Sequence, residues 1–315
     1  MLPLFAAIET DALVQYLING LSYGMLIALV ALGYTMVYGI VELINFAHGD
    51  LFMLGGFLGW TIITVVFNAT AAGSTTSTVL ALFVCFLVVP CFCALLNFGV
   101  DRVIYKPLRK APRLAPLVSA IGVSFIFQNL GLFWGGPQDV DFPKLIPNTN
   151  LLGEQSSIRF TYQDLLVGGV TVPLMIALTV FVRFTSLGKA MRATAQNPTA
   201  AQLMGINTER VIAATFLIGG GLAGFGAMIY GLSINSINYQ MGFLVGLYAF
   251  TAAVLGGIGN IPGAVLGGLL IGLVRSLGSA YVGERWTGAL VFTTLIVVLV
   301  FRPAGLLGSR VREKV

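Results

Sequence analysis

The chain is poor in charge. Its 315 residues hold 17 Lys and Arg, 12 Asp and Glu and a single histidine, so only 9% are charged, against about 25% in a typical soluble protein. That is too little polar surface to hydrate a globule of this size, which disfavours a cytosolic enzyme and a disordered chain alike. Cysteine is equally scarce. Cys85, Cys91 and Cys93 fall within one apolar run, with no CxxC spacing and no histidine nearby, so they outline neither a disulfide framework nor a metal site. Two catalytic signatures are missing too: no GxxxxGK[ST] loop and no HExxH occurs, the patterns of phosphate-loop and zinc-peptidase chemistry. Gly188-Lys189 is followed by Ala190 and lacks the upstream glycine. Any energised step must therefore draw on another subunit or on an ion gradient. Residues 1–11 carry no Lys or Arg, whereas a secretory signal needs a basic start, so the first apolar run is expected to remain as a span.

Apolar residues fill the space that charge leaves. They make up 57% of the chain, and mean hydropathy is +0.93. A helix crosses the hydrocarbon core with about 20 apolar residues. Runs at 12–38, 51–67, 79–100, 114–134, 165–184, 211–232, 243–255, 265–281 and 286–301 predict one all-α polytopic membrane domain over residues 1–315, with eight or nine transmembrane helices. Gly256, Gly257, Gly259 and Gly263 interrupt the late pair. This glycine-broken region reads as a packing surface or a hinge, and as two crossings or one crossing with a re-entrant segment.

Charge asymmetry orients the spans. Arg102, Lys106, Arg109, Lys110 and Arg113 crowd one connector, Arg183, Lys189, Arg192 and Arg210 flank another, and Arg302, Arg310, Arg312 and Lys314 follow the last run. These are expected in the cytoplasm. The connector at about 135–163 holds Asp139, Asp141 and Glu154 against Lys144 and Arg159, and is expected outside. Alternation then sets the N-terminus outside and, for nine crossings, the C-terminus in the cytoplasm. The net charge of +5 is thus a topology signal rather than a nucleic-acid footprint.

The connector at about 185–209 is too polar to span and too helix-prone for a loose loop. Asn197 suits an N-cap, Pro198 the first helical position and Gly205 the stop, which predicts a short cytoplasmic helix over 198–204. Residues 187–195 form another turn or two, with Lys189 and Arg192 exposed. The result is either a rigid knob that a nucleotide-driven partner pushes, through Lys189, Arg192, Gln196, Asn197, Pro198, Leu203, Met204 and Gly205, or an interfacial linker. Glu42, Asn45, His48 and Asp50 make a polar break. It is either a turn in which Asn45 or Asp50 caps the next helix, or an inner gate lined by Asn45 and His48. Arg275 lies inside an apolar run, where a cation costs about 2.5–3.5 kcal/mol on insertion scales; it marks a pathway or snorkels toward Glu284. Gln128 and Asn129 either bond across helices or face a hydrated path.

Three segments carry a family resemblance. Gly33-Tyr34-Thr35-Met36-Val37-Tyr38-Gly39-Ile40 leads into Ile44-Asn45-Phe46-Ala47-His48-Gly49-Asp50, residues 192–205 lead into Ile206-Asn207-Thr208-Glu209-Arg210-Val211, and Leu255-Gly256-Gly257-Ile258-Gly259-Asn260-Ile261-Pro262-Gly263-Ala264 comes late. In this order they resemble the branched-chain amino acid ABC importer permeases of LivH type, with similarity from about residue 17 to 305. Urea-importer permeases carry similar motifs. The resemblance implies an inner-membrane subunit that moves amino acids, leucine, isoleucine and valine first among them, by alternating access. It also implies a second related permease, two cytoplasmic ATPase subunits that bind the ATP, a periplasmic binding protein and no cofactor in this chain. A urea or other small-amide importer is the alternative, and a stand-alone channel or gradient-driven transporter a more distant one.

Overall fold

The computed structural model describes residues 10–41, 45–69, 75–109, 111–112 and 114–308. Glu42, Lys110, Arg113, Arg310, Arg312 and Lys314 lie outside the described residues. Helices run in the order α1 (Thr10–Val41), α2 (Ala47–Val66), α3 (Thr75–Leu108), α4 (Leu114–Gly135), α5 (Tyr162–Phe184), α6 (Ser186–Gln196), α7 (Pro198–Leu203), α8 (Thr208–Ile234), α9 (Met241–Gly256), α10 (Ile261–Tyr281) and α11 (Glu284–Phe301). Eight of them are long and apolar enough to cross a membrane, and α9 is a shorter apolar helix. Helix dominates because hydrocarbon offers no partner to a free peptide group, so each segment must satisfy its own backbone. α2 ends in a π turn (Ile62–Val66), and α3 contains one (Asp101–Tyr105).

α1, α2 and α8 form the buried centre, with α9 and α10 packed on α1. α3, α4, α5 and α11 surround them and leave large apolar side chains such as Phe83, Phe125, Ile176 and Val300 exposed, the surface that lipid solvates. Backbone contact sets the spacing. A Cβ on Gly268 would lie 2.5 Å from the Ala28 Cα, and one on Gly272 would lie 2.4 Å from the Gly24 Cα. α1 and α10 therefore meet, antiparallel, at a distance that admits no side chain between them. On another face of the centre, Gly220 and Gly224 of α8 press on α3 at the Cys93 carbonyl and at Pro90.

The region around α9 departs from simple helix packing. Asn235, with φ +57°, ends α8 in a left-handed turn. The chain then runs extended through β2 (Ser236–Ile237), which pairs antiparallel with β1 (Val140–Asp141), Val140 opposite Ile237 and Asp141 opposite Ser236. The Phe142 N–H donates to the Asn235 carbonyl at 3.0 Å. α9 begins beside the first turns of α2, where a Cβ on Gly242 would lie 2.8 Å from the Met53 Cβ and 3.0 Å from the Asp50 Cα. After the sixth long span the chain thus forms a short helix preceded by extended backbone. The glycine-broken segment is a reverse turn between α9 and α10: Gly257 (φ +106°) and Gly259 (φ +82°) supply its left-handed backbone. The Leu306 and Leu307 N–H groups close on the Leu255 and Gly256 carbonyls at 2.9 and 3.0 Å, so the chain after α11 returns to this turn.

Replacing Gly268 with valine should cost about 1–3 kcal/mol, as overpacking does, and lower the thermal unfolding midpoint of the purified protein in detergent. Gly122→Ala, whose Cβ meets nothing within 4 Å, should leave the midpoint unchanged or raise it. Equal shifts for the two would refute the close α1–α10 approach.

Candidate functional site

The polar segment after α5 folds into two short helices. Thr185 caps α6: its Oγ1 accepts from the Gly188 N–H at 3.0 Å and donates to the Phe181 carbonyl at 2.7 Å. Gly188 is required there, because a Cβ would lie 2.4 Å from the Val182 carbonyl oxygen. Met191 and Thr194 are buried, and α6 packs on α1, α5 and α8. Asn197 caps α7, its Oδ1 accepting from the Ala200 N–H at 3.0 Å, with Pro198 in the first turn. The helix ends at Leu203, one residue short of the expected 198–204, because Met204 leaves helical geometry (ψ 11°) and Gly205 turns left-handed at φ +82°. Gln202 Nε2 donates to Thr208 Oγ1 at 2.7 Å, which ties α7 to the start of α8. Lys189, Arg192, Gln196, Asn197, Pro198 and Gly205 are exposed. At the tip, Leu203 and Met204 are 84% and 82% exposed.

The polar break before α2 is not a capping turn. The N-cap position is Phe46, with no side-chain cap bond, so neither Asn45 nor Asp50 plays the expected part. Asn45, His48 and Asp50 instead turn into the bundle and are buried there. Asn45 Nδ2 donates to Asn97 Oδ1 at 3.1 Å, Asn97 Nδ2 donates to the Phe216 carbonyl at 2.7 Å, and the Tyr105 hydroxyl donates to Asn45 Oδ1 at 3.3 Å. One turn of π helix separates Tyr105 from Asp101, a buried carboxylate held by Arg109 at 2.5 Å. His48 is fully buried. Its ring meets Tyr34 edge-on at 4.7 Å and fills the space at Gly33, where a Cβ would come within 2.3 Å of Nε2.

Gln128 and Asn129 part company. Asn129 folds back on the Phe125 carbonyl of its own helix at 2.8 Å. Gln128 points inward and donates to Ser124 Oγ at 3.2 Å, and Ser124 donates to Asp50 Oδ2 at 2.5 Å. Arg275 lies over the Tyr23 ring at 4.1 Å and donates to Glu284 at 3.3 Å. It lines a cavity of about 410 Å³ with Asn19, Asp164 and Ser276, at the end of the bundle remote from α6 and α7. Gly256 and Gly263 touch backbone to backbone. Gly259 shares a small void with Gly39, Met191 and Arg192, which places the α9–α10 turn beside α6.

The sequence model of the branched-chain amino acid transport system permease component matches residues 16–300. The chain belongs to this permease family. It is 42% identical over 303 residues to the high-affinity branched-chain amino acid transport system permease protein BraD of Pseudomonas aeruginosa, covering 96% of this chain and 97% of that one. It is 41% identical over 311 residues to the corresponding LivH of Escherichia coli, with the same coverage, and 41% identical over 305 residues to LivH of Salmonella typhimurium. No solved structure matches. The permease is a multi-pass transport subunit and not an enzyme.

Sequence reasoning missed Asn97, Asp101, Tyr105 and Ser124. Two carried a signal: Asn97 is the one carboxamide in the 79–100 run, and Ser124 stands four residues before Gln128, on the same helix face. In the permease, Asn97→Leu leaves the buried Asn45 amide without its acceptor and should cost about 1–3 kcal/mol in denaturant unfolding. Asn129→Leu should stay within about 0.5 kcal/mol. Equal losses would show that the network does not hold the fold.

Proposed function

We propose that this permease carries branched-chain amino acids across the inner membrane, that its α6–α7 pair faces the cytoplasm and that a partner ATPase docks there. One observation carries the reading. Leu203 and Met204, two large apolar side chains, stand exposed at the tip of a capped six-residue helix, at an otherwise polar end of the molecule. Lipid does not reach a knob set on the polar side of the bundle, so a protein surface is the fitting occupant, and adjacent buried apolar anchors are what such interfaces use. Lys189 and Arg192 border the tip and set its charge. Force applied to α7 passes through the Gln202–Thr208 bond into α8 and through buried Met191 and Thr194 into α1, the two helices at the centre of the bundle.

A second related permease completes the membrane pair, two ATPase subunits bind the ATP, and a periplasmic binding protein delivers substrate to the opposite end. Relatives named for high-affinity branched-chain amino acid transport, matched over nearly their full length, support the substrate class. Basic connectors on the α6–α7 side, including Arg102, Lys106 and Arg109 at the end of α3, support the orientation, and with nine passes the C-terminus is cytoplasmic. Alternating access then consists of the α6–α7 knob moving α1 and α8 against the α9–α10 pair. Asn45 and His48, buried at the start of α2 between those helices, sit where the inner closure has to form.

Leu203→Asp combined with Met204→Asp should weaken co-purification of the ATPase roughly 30-fold, the scale of losing about 2 kcal/mol at an anchor, with membrane insertion unchanged. Undiminished co-purification refutes the docking role. In a Cys91→Ser background, Gln196→Cys should react with an impermeant thiol reagent in inside-out vesicles and not in intact cells; the reverse pattern refutes the orientation.

A further inference from the structure

A groove of about 290 Å³ lies between α4 and α9, with Tyr34 of α1 and Phe46, just ahead of α2, also lining it. Glycine lets α9 lie directly on the first turn of α2, behind the groove. A Cβ on Gly242 would lie 2.8 Å from the Gly49 carbonyl oxygen and 3.0 Å from the Asp50 Cα, and one on Gly246 would lie 3.0 Å from the Gly49 Cα. The walls are apolar, with Phe46, Phe125, Phe243, Leu247 and Phe250. Two polar features of opposite sign meet in this setting.

The first is negative. Asp50 is 1% exposed, its Oδ2 accepts from Ser124 at 2.5 Å, and its Oδ1 has no hydrogen-bond partner. Ser124 and Gln128, the two residues that continue this chain of hydrogen bonds, both line the groove. A carboxylate at membrane depth is expensive and marks a transport role by default. The second is positive. α9 starts inside the bundle, not at its end, so the positive pole of a 16-residue helix opens at the same depth. The N–H groups of Met241, Phe243 and Leu244 are taken up by the Asn238 and Gln240 carbonyls. The remaining first-turn N–H, that of Gly242, belongs to a residue that lines the groove.

We propose that this groove is a transit site for the free amino acid. The α-ammonium is received by Asp50 through the Ser124–Gln128 relay, the α-carboxylate by the first turn of α9, and the apolar side chain by the aromatic walls. The site deepens the reading of the chain as an amino acid permease and rests on it. A zwitterion with a greasy side chain is the ligand that uses all three features; an uncharged amide leaves Asp50 without a counter-charge, and a fatty acid leaves it facing a like charge. Toward the α6 end the groove is shut by Tyr34, whose ring lies against Phe250 at 6.1 Å. Past this pair two small voids continue along α1, the second bounded by Met191 and Arg192 of α6. The knob that receives the ATPase therefore also floors the line along which the groove would open inward.

The test uses the complete importer, permease pair with ATPases and binding protein, in proteoliposomes. Asp50→Asn should lower leucine uptake about tenfold or more, the scale of one charge-assisted hydrogen bond, while ATP hydrolysis still responds to liganded binding protein. Undiminished uptake by that variant overturns the proposal. Should Asp50→Asn fail to assemble, Leu247→Cys in a Cys91→Ser background decides. Leucine and leucinol, which keep the ammonium, should slow its modification by a methanethiosulfonate, and 4-methylpentanoate, which lacks it, should not. Equal protection by 4-methylpentanoate, or none by leucine, overturns the site. An importer that moves no branched-chain amino acid before any substitution overturns the functional reading instead, and the order of the measurements separates the two failures.

Discussion

Inside a bilayer an apolar side chain gains nothing by exchanging lipid for another apolar side chain, so helices associate only where their backbones come close enough for dense contact. The α1–α10 seam is the clearest case here, with Gly20 and Gly24, about one turn apart, facing Gly268 and Gly272. Gly220 and Gly224 of α8 do the same against Cys93 and Pro90 of α3. These two seams fix α1 and α8 at the centre, and α2, α9 and α10 take their positions from them. Helices without such seams, α5 and α11 above all, stay on the rim with their apolar faces turned to lipid.

Close backbone packing also decides where polarity survives. A buried hydrogen-bonding group is tolerable only beside a partner, and the tight centre supplies partners from other helices: Asn45 from α2's approach, Asn97 from α3 and the Phe216 carbonyl from α8 form one such set. Asp50, Ser124 and Gln128 form another between α2 and α4. The first set is saturated and lies deep in the bundle, and it reads as glue. The second opens on a groove with one oxygen to spare, and it reads as function. Arg275, anchored by Tyr23 and Glu284 far from α6, belongs to a different end of the molecule altogether.

Much of this was legible in the amino-acid order. The length rule for crossing hydrocarbon is strict, so the apolar runs located the eight long spans, and the shortness of the 243–255 run already marked α9. Asn197, Pro198 and Gly205 are local punctuation, and they placed α7 to within a residue. The failures share a cause. Asn45 looks like a cap because Asn near a helix start usually is one, yet its partner Asn97 lies 52 residues away. The pairing of Val140 with Ile237 joins two-residue strands too short for any periodic pattern. Opposite fates for neighbouring Gln128 and Asn129 depended on which face of α4 met α2, which is a tertiary fact.

That short ladder has a mechanical meaning. Residues 136–161 form the connector at the end remote from the knob, and through Asp141, Phe142 and their partners they grip the strand from which α9 hangs. Two peptide pairs tether a surface loop to a helix that starts in the middle of the bundle. Whatever settles on that loop leans on a lever whose short arm lies in water and whose long arm ends beside Asp50.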